Sequence, residues 1–180
     1  MCSTFKFLLV SAVLQRVDRH RDALDRAVSI PPKPLLFNSP LTEPNAGGSD
    51  DTIAALCHAA LTRSDNTAAN LLLETIGGPA GITSFSRSLG DTVTRLDRWE
   101  TSLNESLAGD LRDTTSPGAM AGDLKSVLLG NVLSRPSRDQ PTSPSSGRAA
   151  SRPLSSQPTS PNAPALRASV PPCSRRLANS

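Results

Sequence analysis

The sequence predicts a mainly α-helical protein. Apolar residues recur at helical spacing in segments bounded by capping residues. No stretch shows clear apolar–polar alternation, and no internal repeat is visible. Globular composition stops near residue 134, so one domain with a real core is expected within the 180 residues.

The elements follow in order. Residues 3–19, STFKFLLVSAVLQRVDR, are apolar over a broad face and end in charge, which predicts a mostly buried helix with Ser3 near its start. Residues 30–48 are broken by Pro, Asn and Gly and predict a long loop. Asp51 or Thr52 can cap a helix running to about Leu61. After the short TRSDN connection comes an apolar helix over 67–76. Gly77-Gly78 stops it, and Pro79 opens the next helix, to about Leu89. Residues 91–116 have no sustained period, yet Leu96, Trp99 and Leu103 give them something to pack. Ser116 then caps and Pro117 opens a helix to Gly130.

Residues 135–180 differ. They hold nine of the 16 prolines, eleven serines and seven arginines, against one acid, Asp139. Such a segment buries too little apolar surface to offset its ordering entropy, so a disordered tail is predicted. The tail also supplies the whole net charge of +3 and leaves residues 1–134 acidic. The basic balance is therefore no sign of a specific nucleic-acid surface in the globular part; the tail could touch acidic partners only non-specifically. Cys2, Cys57 and Cys173 form no metal spacing, and His20 and His58 stand alone, so no metal or cofactor is expected. No segment is long and apolar enough to span a membrane. FKFLLVSAVL (5–14) has the length of a signal-peptide core, but its only early positive charge lies inside it and no cleavage site follows, which favours a buried helix.

Three short motifs carry chemistry. Ser3 and Lys6 stand one helical turn apart on one face. A serine hydroxyl becomes a nucleophile when a base takes its proton, and a lysine of lowered pKa can serve. Ser64-Asp65-Asn66 is good turn chemistry, and Glu100 with Asn104 places a carboxylate and an amide where they can hold and activate a water. Each is weak evidence singly.

In this order they resemble the class A serine β-lactamases, whose signature joins S-x-x-K to S-D-N. The resemblance extends over LTRSDNTAANLLLETIGGPAGITSFSRSLGDTVTRLDRWETSLNE and GDLRDTTSP, roughly residues 1–134. It implies the helical domain of the α/β fold shared by serine β-lactamases and penicillin-binding transpeptidases, with a loop of Ω shape over about 95–113. It further implies β-lactam hydrolysis through a serine acyl-enzyme, the chemistry of antibiotic resistance. Ser3 would be acylated, Lys6 would assist its deprotonation, and Ser64 would relay a proton to the lactam nitrogen. Asn66 would bind the substrate amide, and Glu100 with Asn104 would activate the deacylating water. Asp65 would brace its loop, and Arg98 with Asp113 would close the Ω-shaped loop. A small-molecule β-lactam as partner, a monomer if folded, and a periplasmic or secreted location follow from the family; no leader is visible here. Cys2 before the nucleophile is similar to the carbapenem-hydrolysing branch. Cys57 matches a disulfide position whose partner would fall at Val10, so all three cysteines are expected unpaired. Asn38 stands where the family often has an aromatic.

The match departs in its third element. Lys6, Lys33 and Lys125 are the only lysines, and none begins Lys-Thr-Gly. Most of the family's five-stranded sheet has no counterpart in the sequence. The abrupt change after residue 134 predicts a reading-frame shift near 134–140, with a start codon placed too late; SRDQ (137–140) still resembles the start of the family's next helix. Without the sheet, Phe5, Phe7, Leu8, Leu9, Val13 and Leu14 are expected to face water, giving a partly ordered and inactive chain. Two other readings stand beside hydrolysis. One is a non-catalytic fragment with a basic tail, and the other an acyl transferase like the penicillin-binding proteins. The acid–amide pair Glu100–Asn104 argues against the transferase, because a deacylating water separates the two chemistries.

Overall fold

The computed structural model describes residues 1–33 and 35–139. Helix α1 (Phe5–Asp18) lies at the centre and follows a single 3₁₀ turn, Cys2–Thr4. Its sequence is apolar on almost every side, so it is stable only when enclosed. Helices α2 (Ile53–Arg63), α3 (Asn66–Thr75) and α4 (Pro79–Ser88) pack against it.

This enclosure overturns one expectation. Phe5, Leu8, Leu9, Val13 and Leu14 are all buried, and Phe7 alone of the six remains partly exposed. The helical layers surround α1 themselves. Leu56, Leu72, Leu73, Ile82 and Phe85 supply the facing side chains of one continuous core.

The helix boundaries come from local chemistry. Thr52 accepts a hydrogen bond from the Ala55 amide and caps α2. Asp65 caps α3 through the Ala68 amide, one residue earlier than the apolar pattern suggested. Gly78 (φ 76°) precedes the Pro79 that opens α4. Ser116 caps α5 (Pro117–Leu129) through the Ala119 amide.

Two further differences concern the strands and the tail. Strands β1 (Ala27–Ser29) and β2 (Asp50–Thr52) pair antiparallel, with Ala27 opposite Thr52. Three residues are too few to show alternation, and the paired residues, from Ala27 with Thr52 to Ser29 with Asp50, stand far apart in the chain, so neither strand was visible in the sequence. Helix α6 (Arg135–Asp139) continues the ordered chain past residue 134. Its start is held by Asp18 of α1, which accepts from the Ser134 amide and from the hydroxyls of Ser134 and Ser137. The rest of the expected tail, with Cys173, lies outside the described residues. Cys2 and Cys57 are free thiols, and burial pushes the Cys57 thiol up to about 12. Among the described residues no helix is long and apolar enough to cross a membrane.

Candidate active site

Ser3 lies in the 3₁₀ turn and is exposed; Lys6 lies in the first turn of α1 and is 1% exposed. The spacing alone put them one turn apart. The structure links them through a third residue from the α2–α3 connection. Ser64 donates its hydroxyl to Ser3 Oγ at 2.7 Å, and Lys6 Nζ donates to Ser64 Oγ at 3.0 Å.

Ser64 reaches this position because its backbone is left-handed (φ 54°), which turns the chain sharply between α2 and α3. Asn38 is also left-handed (φ 57°); its side-chain amide donates to the Ser64 carbonyl at 3.0 Å, and its own carbonyl accepts the Asn66 amide at 3.0 Å. Asparagine adopts this conformation more readily than an aromatic residue, which fits its presence at this position. The neighbouring Phe37 ring is 87% exposed at the rim.

Lys6 also donates to the Ser64 carbonyl at 2.8 Å and to Asn66 Oδ1 at 2.6 Å. An ammonium carries three N–H groups, and these three bonds use them all. Glu100 Oε1 stands 3.2 Å from Nζ as a buried ion-pair partner. Burial lowers the Lys6 pKa below 10.5; the Glu100 carboxylate pulls the other way, as does Asp65.

Glu100 is placed by two amides. Asn104 donates to Glu100 Oε2 at 2.8 Å, and also to the Thr101 carbonyl at 3.2 Å, so both of its N–H groups are used and its carbonyl oxygen stays available. Asn70 of α3 grips the backbone on both sides: Oδ1 accepts the Glu100 amide and Nδ2 donates to the Glu100 carbonyl, each at 3.0 Å. Asn70 was not singled out from the sequence. Its one signal was the i, i+4 spacing from Asn66 on the same helix face.

The remaining expected residues sit around this centre. Asn66 donates to the Phe37 carbonyl at 2.8 Å through one of its two N–H groups. Asp65 is fully buried and reaches back to the preceding loop, accepting from the amides of Leu41 and Thr42 and from the Thr42 hydroxyl. Arg98 and Asp113 tie together the loop that carries Glu100. Arg98 Nε donates to Asp113 Oδ2 at 2.5 Å, while Asp113 Oδ1 accepts the amides of Asp97 and Arg98. Leu96 and Leu103 anchor that loop in the core, and the Trp99 ring lies over Gly78, where a β-carbon would come within 3.2 Å of it.

The helical fold thus places a buried Lys6–Glu100 ion pair behind the exposed Ser3. Residues 1–143 match the model of the β-lactamase enzyme family. A Rhodopseudomonas palustris structure assigned to the class A β-lactamases is 61% identical, with a TM-score of 0.75, over 78% of this chain and 53% of that one. The reconstructed last common ancestor of Gram-negative class A β-lactamases is 58% identical, with the same TM-score and coverage. The chain belongs to the β-lactamase enzyme family, in its class A branch. It spans about half the length of these relatives.

Proposed function

We propose that this chain carries the acylating and deacylating groups of β-lactam hydrolysis. One observation supports this most: an exposed serine hydroxyl and a buried carboxylate are joined through Ser64 and Lys6 without a break. A neutral Lys6 lets the hydroxyl chain run in reverse. Ser3 then donates to Ser64, Ser64 donates to Lys6, and no heavy atom has to move. The Ser3 oxygen attacks the lactam carbonyl, the C–N bond breaks, and Ser64 delivers a proton to the departing nitrogen. Glu100 then takes a proton from a water held with Asn104, and that water cleaves the acyl-serine ester.

Asn66 offers its spare N–H to the substrate amide, while Asp65, Arg98 and Asp113 position the parts. A monomer exported to the periplasm or secreted fits this reading. The 180 residues contain no Lys-Thr-Gly triplet.

The test is incubation of the purified chain with a chromogenic cephalosporin, read by absorbance and intact mass. An acyl adduct on Ser3 is expected, absent in Ser3→Ala and longer-lived in Glu100→Gln. Hydrolysis or labelling that survives Ser3→Ala would overturn the assignment.

A further inference from the structure

Behind the loop that carries Glu100 lies a second group of polar side chains that the chemistry above does not use. Asp123 on α5 is 2% exposed, and Ser86 in the last turn of α4 is fully buried. Asp123 Oδ2 and Ser86 Oγ are both sealed from solvent and neither makes a well-formed hydrogen bond, although Ser86 and Asp91 lie close enough to act on the Asp123 carboxyl. Buried polar atoms are rarely left this way, because each forfeits its hydration for nothing. Asp91, in the turn after α4, shares with Asp123 the lining of a pocket of about 320 Å³ that also includes Gly90, Ser116, Gly122 and Ser126.

The place of this cluster matters. Asp91 Oδ1 accepts the amides of Val93 and Thr94 at 2.6 and 3.1 Å. Arg87 donates to the carbonyls of Asp91 and Thr94. The Thr94 hydroxyl bonds that of Thr115 at 2.6 Å, and the Arg95 amide bonds the Thr114 carbonyl at 3.0 Å. The two ends of the loop are therefore pinched together next to the carboxyl groups.

We propose that Asp91 and Asp123 form a proton-binding carboxyl pair that fastens the base of the Glu100 loop, and that loss of its proton loosens that loop. One proton on Asp123, shared with the Asp91 carboxylate, satisfies the orphaned oxygen and removes the repulsion between the buried Asp123 and the half-buried Asp91 carboxylate. The charged groups facing Asp123 are Asp91 and, from α4, Arg87. Burial first, then Asp91, push the Asp123 carboxyl up to about 6, against smaller opposing pulls from Ser86 and Arg87. Asp91 is held below the ordinary range: burial opposes its ionisation, but hydrogen bonds from Thr94 and Val93 outweigh that. The proton therefore belongs to Asp123. Because its folded pKa is raised, the native state holds the proton more tightly than the unfolded chain. Stability then falls as pH rises from about 3.8 through about 6. The proton pair stands independently of turnover; only its consequence for Glu100 rests on the function proposed above.

The test uses the full chain with ¹³C-labelled aspartate carboxyls, Asp123 being identified by its loss in Asp123→Asn. Expected are an Asp123 titration near pH 6, a shift toward the ordinary aspartate value in Asp91→Asn, and a red shift of Trp99 emission between pH 5 and 7.5 that Asp123→Asn abolishes. Trp99 is the only tryptophan and sits on the loop, so its emission reports the loop without substrate. An Asp123 midpoint near 3.8 overturns the pair. A Trp99 spectrum insensitive to this titration overturns the link to the loop. Displacement of the Asp123 midpoint by millimolar Mg²⁺ assigns the cluster to a cation instead of a proton.

Discussion

Lys6 stands among more acceptors than it has protons. Its N–H groups are shared among Ser64 and Asn66, and Glu100 at 3.2 Å balances the charge. Glu100→Gln keeps the shape and removes the balancing charge. Taking one partner from a buried pair costs about 3–5 kcal/mol, and a loss near the lower end is expected in urea unfolding at pH 7. The sign of its pH dependence follows from the lowered Lys6 pKa. Between that value and 10.5 the unfolded chain binds more protons than the native state, so stability rises with pH. In Glu100→Gln the Lys6 pKa falls further and the deficit shrinks at alkaline pH. An equal deficit at pH 7 and 9.5 would show that Glu100 is not the balancing charge. Of this centre, Ser3, Lys6, Ser64, Glu100 and Asn104 were legible in the sequence, because their types and spacings match a known chemistry. Asn70 was not, because it acts on the backbone of a residue 30 positions away.

At the scale of elements, α3 and the loop before α2 are joined by one carboxylate. Asp65 caps the helix through the Ala68 amide and holds Leu41 and Thr42 as well. A cap contributes about 1 kcal/mol and each of the three further hydrogen bonds about 1 kcal/mol, so Asp65→Ala is expected to lose about 4 kcal/mol in chemical denaturation. Asp65→Asn, which keeps an acceptor, should recover part of this. A loss below about 0.5 kcal/mol in Asp65→Ala would mean that the loop is held by other contacts. The helices themselves were readable from caps and apolar spacing. The strands β1 and β2 were not, since each is defined only by a partner far along the chain.

For the molecule as a whole, α1 and α6 are joined end to end by Asp18. Burial works against its ionisation, but hydrogen bonds from Ser134 and Ser137 outweigh it and hold the carboxyl below 3.8. Its contribution is complete above 3.8 and disappears as pH falls through the folded value. Asp18→Ala should speed hydrogen exchange at the Ser134, Ser137 and Arg138 amides about tenfold or more, the loss of at least one charge-assisted hydrogen bond. Unchanged exchange there would show that α6 is held without Asp18.

The sequence by itself determined where the helices start and stop, and which residue types could perform acyl transfer, because both depend on neighbours within a turn or two. The tertiary structure decided the rest. Burial of α1 comes from α2, α3 and α4 closing around it, which no local pattern records. The linkage of Ser3 to Lys6 depends on a left-handed Ser64 delivered from 61 positions away. The carboxyl pair Asp91–Asp123 exists only because α5 meets the turn after α4, where burial of Asp123 beside the Asp91 charge makes one proton more stable than two charges.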